Sequence, residues 1–343
     1  MWDRRTYVDT DYGLEPEESF EPSVDDDDET IDIRVEPHVM TVLGPLPPEE
    51  LGVCLHHEHI LCDPLAVTAD EPDYQLDNVD RACEELESFI KAGGRAIVDA
   101  SPRDYGRDLG GLRTIAQRVP VHVIAVTGRH KGLHASRMEN ALDIGSLTAE
   151  YVTELREGVG AEAIRPGVIK LGTSLNEMTA IEEVATRAAA RAHVATGAPV
   201  TTHLEAGTHA HRQLDVLEEE GVAPSRVILG HLDRSLNRQY LTSILDRGAF
   251  CSFDQIGKSH YGEDAAKITM LLNLVDAGYA DQLLISQDVA RKSSLVAYGG
   301  SPGLIHLLER FTVDLMEGGA EAELVVMLLV GNPARALTIK PPG

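Results

Sequence analysis

The chain has 343 residues, 43% of them hydrophobic, which is enough for one large core or two ordinary domains. Its 56 acidic residues against 30 basic ones leave a formal net charge of −26, which argues against nucleic-acid binding through neutralised phosphates and against an anionic membrane surface. No stretch is apolar and long enough to span a bilayer, and the start lacks the apolar core of a signal peptide, so a soluble, cytoplasmic protein is expected.

Residues 1–37 carry 14 acidic and 3 basic side chains, including the run DDDDE at 25–29, and are expected to form an acidic N-terminal tail without fixed structure. From 38 to 343, short apolar runs alternate with longer helical patterns and no long linker intervenes, so this stretch reads as one domain. Strands are predicted at 51–60, 95–100, 121–127, 167–171, 199–204, 227–232, 249–254 and 282–287. Between them lie amphipathic helices such as 78–92, where Val79, Ala82, Leu86 and Ile90 share a face, and the alanine-rich 177–195. Eight strands with intervening helices fit an α/β fold of the closed (β/α)8 TIM-barrel type better than an open doubly wound sheet. No GxGxxG or GxxxxGK[ST] motif occurs, which removes the main nucleotide-binding alternative.

Four cysteines, Cys54, Cys62, Cys83 and Cys251, lack the paired spacing of a disulfide framework or a zinc knuckle and fit a reducing cytosol. Cys62, three residues after His59, is read as packing and not as a ligand.

Active sites of such barrels lie at the carboxyl ends of the strands, and metal-binding residue types stand there by this register. They are His57 and His59 in CLHHEHI, Lys170 in GVIKLG, His203 in PVTTHLE, His231 in VILGHLD and Asp288 in LLISQDV. A single strand-end histidine is ordinarily a packed imidazole; recurrence on several segments is not. Side chains two apart on a strand project to one face, so His57 and His59 can grip one ion, while His56 and Glu58 are expected to point toward the helices in structural roles. His203 and His231 supply a second pair. One ion does not comfortably reach all four imidazoles, whereas two ions roughly 3.5 to 4 Å apart do.

An ammonium at Lys170 would be repelled by two cations, so this lysine is either absent from the site or modified. Condensation with carbon dioxide would make it a carbamate, an anion whose two oxygens can bridge both ions. The lysine distribution favours a local reason: of only seven lysines, against 23 arginines, Lys131, Lys170, Lys258 and Lys292 fall at or just after predicted strand ends. Asp288 reads either as a ligand that also accepts a proton or as a helix N-cap before Val289.

Taken together, TVLGPLPPEELGVCLHHEHI, VIKLGTS, TTHLEAGT, VILGHLDR and ISQDVARKS resemble the phosphotriesterase family of the amidohydrolase superfamily, over about residues 39–338. The resemblance implies that His57, His59 and Asp288 bind a first metal, His203 and His231 a second, and that Lys170, as N6-carboxylysine, bridges them with a hydroxide. Zinc is the usual occupant, with manganese, cobalt or iron as alternatives. The implied reaction is hydrolysis, with Asp288 expected to take up the proton; Asp233, two residues after His231, reads either as a relay partner or as a surface residue.

The loops AVTGRHKG, DQIGKSHYG and DVARKSSLVAYGGSPG look like the branch that opens sugar lactones, some of them phosphorylated. In that branch Lys258 and Arg291, with Lys292 or Tyr298 nearby, would hold an anionic group, and His130 stands where several relatives place a tyrosine beside the metals. Elementary chemistry points the same way, since cations near two metal ions select an anionic or polyhydroxylated ligand. The expected function is therefore opening of a lactone by a metal-bridging hydroxide. A phosphotriesterase or acyl lactonase is kept as the alternative, and a non-catalytic barrel as a remote one. Relatives often pair, so a homodimer is an expectation. Acidity, scarce lysine and only 4% aromatic residues resemble proteins of salt-loving archaea.

Overall fold

Short runs in which alternate side chains are apolar on both faces become strands buried from two sides, as a parallel sheet covered by helices requires. The computed structural model describes residues 36–137 and 143–340; the expected acidic tail at 1–37 lies, save for its last two residues, outside them. An antiparallel pair comes first, β1 (Val39–Thr41) and β2 (Gly44–Leu46). Strands of three residues are too short to show a period, and the sequence reading passed over them.

Eight parallel strands then follow in chain order: β3 (Cys54–Glu58), β4 (Ala96–Asp99), β5 (His122–Gly128), β6 (Val168–Thr173), β7 (Val200–Leu204), β8 (Val227–Leu229), β9 (Phe250–Phe253) and β10 (Leu283–Ile285). Each pairs with its sequence neighbour, giving a nearly closed barrel consistent with the (β/α)8 expectation. Val98, Val126, Val168, Ile228 and Leu284 fill its interior. Their neighbours Ile97, Ala125, Ile169, Leu229 and Leu283 face the surrounding helices, as the two-residue period of a strand dictates.

The predicted helix at 78–92 is Val79–Lys91, with the Asn78 side chain accepting from Arg81 N at its start. The one at 177–195 is Ala180–Thr196, opened by a reciprocal Thr179–Glu182 capping box and ended by Gly197 at φ 73°. Among the described residues no helix is long and apolar enough to cross a membrane.

The end strands β3 and β10 meet at a seam. Asp288 N donates to His57 O at 3.0 Å and His59 N to Val289 O at 2.9 Å. The Glu58 carboxylate accepts from Ser286 Oγ at 2.8 Å, Gln287 N at 2.8 Å and Val289 N at 2.7 Å. Burial pushes this carboxyl up to about 8, and its three donors pull the other way.

Neither Glu58 nor His56 points toward the helices, contrary to expectation. The pairing of β3 with β4 shifts register between Leu55 and Glu58, which interrupts strict alternation. His56 keeps the inward face of Cys54 and sets Nε2 2.7 Å from Ser252 Oγ. Glu58 turns to the seam. Glu58→Ala leaves three buried donors without an acceptor and should cost at least about 3 kcal/mol in denaturant unfolding, at about 1 kcal/mol or more per orphaned group. Stability within experimental error of wild type would show the seam closes without it.

Candidate active site

Where β3, β6, β7, β8 and β10 end, the chain turns sharply, and two of the turning residues are themselves candidate ligands. His231 has φ 60° and Asp288 φ 48°, left-handed conformations that cost non-glycine residues about 1–3 kcal/mol each and cluster at functional sites. Gly230 is needed beside them: a Cβ there would lie 2.2 Å from Thr202 O and 3.2 Å from His57 Cε1.

With His57, Lys170 and His203 on the strands themselves and the others just past strand ends, all six predicted side chains come together. His57 gives Nδ1 to Asp254 Oδ2 at 2.8 Å, leaving Nε2 2.7 Å from Lys170 Nζ. His59 sets Nδ1 2.7 Å from Ser101 Oγ, leaving Nε2 3.3 Å from Asp288 Oδ1. His231 gives Nδ1 to the other oxygen of Asp254 at 2.7 Å, and its Nε2 meets His203 Nδ1 at 2.8 Å. The far nitrogen of His203 lies 3.2 Å from Glu205 Oε2. Outer nitrogens are thus satisfied by fixed oxygens and inner ones converge, which is how protein structures orient imidazoles toward a metal.

His57, His59 and Asp288 form one cluster whose ligand atoms all lie within 4.8 Å of one another. A second such cluster, His57, His231 and Asp254, differs in kind, because its carboxylate is already engaged by both Nδ1 atoms. The opposed nitrogens of His203 and His231 frame a single position that a proton or a divalent ion can fill. These donors fit a pair of cations.

Charge in this buried space is finely balanced. Lys170 is wholly buried, and burial lowers its amine to about 8. Burial lowers the His231 imidazole too, but Asp254 outweighs it and the net shift is upward. Asp254 itself, raised by burial, is drawn well below the usual carboxylate range by His231 and His57.

Asp254 was missed from the sequence. Its only signal was a carboxylate closing the predicted strand 249–254 on the inward face of Ser252. Asp254→Asn should weaken metal affinity about 10- to 100-fold, as loss of a partner behind a ligand does, measured by competition with a chromophoric chelator. Wild-type affinity in that variant would leave Asp254 a packing residue.

Asp288 is not a helix cap, since the next helical turn begins only at Lys292 with Arg291 before it. Its carboxylate accepts from Gln255 Nε2 at 2.8 Å and Lys258 Nζ at 2.9 Å. Burial raises this group, and Lys258 and His59 together hold it well below its ordinary range.

A cavity of about 190 Å³ opens over these ligands, and His130, Lys258 and Arg291 line it. His130 stacks on Tyr105 at 4.8 Å and stands 4.5 Å from His203. Arg291 lies over the Tyr74 ring at 4.0 Å and pairs with Glu71 at 3.0 Å. Lys292 and Tyr298 are not among the lining residues, a correction to the sequence reading. Past Arg291 the chain runs through helical turns at Lys292–Ser294 and Val296–Tyr298, where Asp73 ties down Ser293 and Ser294 returns to the cavity lining.

Asp233 is buried below the rim, where it accepts from Gln255 N at 2.9 Å. Cys62 packs in the core, its backbone paired with Leu76. Lys131, marked in the sequence only by its strand-end position, lines the cavity too, as do Glu205 and Arg234, which had been given no role.

Residues 37–337 match the sequence model of the Phosphotriesterase family. The chain belongs to that family. The phosphotriesterase homology protein of Escherichia coli (strain K12) is 32% identical over 285 residues, covering 83% of this chain and 97% of its own. The phospho-furanose lactonase of Mycoplasmopsis synoviae (strain 53) is 28% identical over 319 residues, covering 87% and 90%. The crystal structure of the lactonase Lmo2620 from Listeria monocytogenes superposes with a TM-score of 0.84 at 33% identity, over 88% of this chain and 99% of that one. Phosphotriesterase-family hydrolases work with two metal ions, and the His57–His59–Asp288 cluster is a set that could hold one.

Proposed function

We propose that this phosphotriesterase-family protein hydrolyses lactones, sugar lactones foremost, using two divalent ions. His57, His59 and Asp288 would hold one ion, His203 and His231 the other, with Lys170 as N6-carboxylysine between them. Imidazole and carboxylate donors suit zinc, and manganese, cobalt or iron accept the same set.

One observation carries the reading. The Lys170 amine sits inside the ring of imidazoles, wholly buried and 2.7 Å from His57 Nε2. As an ammonium it would be expelled by two cations. As a free amine, which burial favours, its nitrogen adds to carbon dioxide, releases one N–H proton and leaves a carbamate anion.

The two ions, when bound, would acidify a water to a nucleophile at neutral pH and polarise the lactone carbonyl. The rest falls to side chains. Asp288 faces the cavity and is placed to accept the proton of the attacking water and pass it to the ring oxygen as the acyl C–O bond breaks, giving a hydroxy acid. Asp254 holds His57 and His231 in register. His130 and Tyr105 wall off one side from solvent.

Similarity to two lactonases supports this choice over phosphotriesters, and so does a small cavity lined by cations and imidazoles. Lys258 and Arg291 are the candidates from sequence for contact with an anionic substituent. We also place the protein in a salt-rich cytoplasm, a reading supported by its acidity and by four buried, unpaired thiols.

The test is a substrate panel in high salt with metal supplied: aldonolactones with and without phosphate, acyl-homoserine lactones and aryl phosphotriesters. Preferred turnover of aldonolactones is expected. Turnover confined to phosphotriesters would replace the reading, and protein that holds no metal and turns over nothing would reduce it to a binding barrel.

A further inference from the structure

We propose that His134 is a specificity-determining residue that reads one hydroxyl group of the lactone, at a carbon away from the ester being opened. The proposal rests on the lactone reading above and narrows its substrate class to polyhydroxylated lactones. His134 lines the cavity from the short helix Gly132–Ala135, yet only 3% of its surface is exposed. Its Nδ1 is sealed from solvent without a hydrogen-bond partner, and no group among the described residues bonds its Nε2. Folded proteins leave few buried polar side chains unbonded, so an unmatched histidine on a cavity wall calls for a ligand.

The charge of the ring decides which ligand. Burial, with Lys131 and Arg137 adding to it, lowers the imidazole to about 4, so the ring is neutral at neutral pH. A neutral imidazole either donates through Nε2–H or accepts there, according to its tautomer. A hydroxyl answers both cases, being donor and acceptor at once. A phosphate or carboxylate only accepts and draws its strength from a cationic donor, and a methylene does neither.

Neighbouring rings fix where the hydroxyl must stand. His134 lies 4.8 Å from Tyr105 and 4.7 Å from His130, centre to centre. Tyr105 in turn lies 4.9 Å from His59, and His130 lies 4.5 Å from His203. One ring thus separates His134 from a candidate ligand of each ion, a spacing that suits a hydroxyl on a lactone whose carbonyl sits at the imidazoles. The turn that carries the residue is pinned, since His134 N donates to Lys131 O at 3.0 Å and Gly132 N to the Glu182 carboxylate at 2.7 Å. A lactone bearing only an alkyl chain would leave this nitrogen unbonded, which a site built for a hydroxyl penalises.

The experiment compares wild type, His134→Phe and His134→Gln, all metal-loaded, on an aldonolactone and on its deoxy analogues, each lacking one hydroxyl. Phenylalanine keeps the packing against Tyr105 and removes both nitrogens, while glutamine restores a group that donates and accepts. In wild type, kcat/KM should fall roughly 10- to 100-fold for the analogue without the hydroxyl that His134 reads. That ratio should shrink to nearly one in His134→Phe and return in part in His134→Gln. No such fall in wild type, wild-type ratios in His134→Phe, or an equal loss on parent and analogues would each overturn the proposal.

Calorimetric binding of the matching aldonolactam, which carries the same hydroxyls on a ring that resists hydrolysis, is the second arm. It needs no turnover, so a protein that opens no lactone at all would sink the lactone reading while this arm still decides His134. Binding at least about tenfold weaker in His134→Phe than in wild type supports the contact, and equal binding, or none by either protein, refutes it.

Discussion

Lys170→Ala should lose its metal and its turnover together. Metal content is expected to drop from about two ions per chain to less than one, because the anion proposed to balance both charges would be gone, leaving four imidazoles and the Asp288 carboxylate to hold them. Activity should fall to background and return in part when short carboxylic acids, formate through propionate, are added to occupy the vacated space. Carbon-13 bicarbonate should give wild type, and not the variant, a carbamate resonance. The argument is one of burial: a side chain that ends inside a ring of imidazoles, with no exposed surface, has no route to solvent by which to keep a positive charge away from two cations. A fully active Lys170→Met enzyme would be incompatible with it.

Asp288→Asn is the second large effect. Removing a general acid–base group typically lowers turnover by about 10²–10⁴, and that range is expected in kcat, with KM moving far less. Asparagine keeps the shape and one oxygen, so the loss reports proton transfer more than it reports ligand geometry. The structure makes the residue apt for the task. Lys258 and Gln255 steady one carboxylate oxygen, while the other sits 3.3 Å from His59 Nε2. Steady-state kinetics with metal content measured alongside separates the two roles; turnover equal to wild type would remove Asp288 from the mechanism.

The eight barrel strands and the six converging side chains were readable because both are local. An apolar run that ends in histidine, lysine or aspartate carries its strand and its rim position in a handful of letters. What escaped depends on partners far along the chain. Asp254 matters because it meets His57 across 197 positions, and nothing in AFCSFD records that meeting. His56 and Glu58 were aimed at the helices because strict alternation was assumed, and one register shift in β3 undid it. Lys292 and Tyr298 were grouped with Arg291 by proximity in sequence, yet the helical turns that follow bring Ser294, and not these two, to the cavity lining.

The seam between β3 and β10 has a consequence for how the molecule persists in a cell. The bonds that shut the ring, Asp288 N to His57 O and His59 N to Val289 O, belong to the backbone of three residues that would grip metal. Anything that pins those side chains also clamps the stave joint, and a ligand that binds only the closed form deepens the native well with the logarithm of its own free concentration above its dissociation constant. Cofactor supply would then govern longevity as well as turnover, with metal-starved chains expected to open first at this joint and to be cut there sooner by a protease than replete ones.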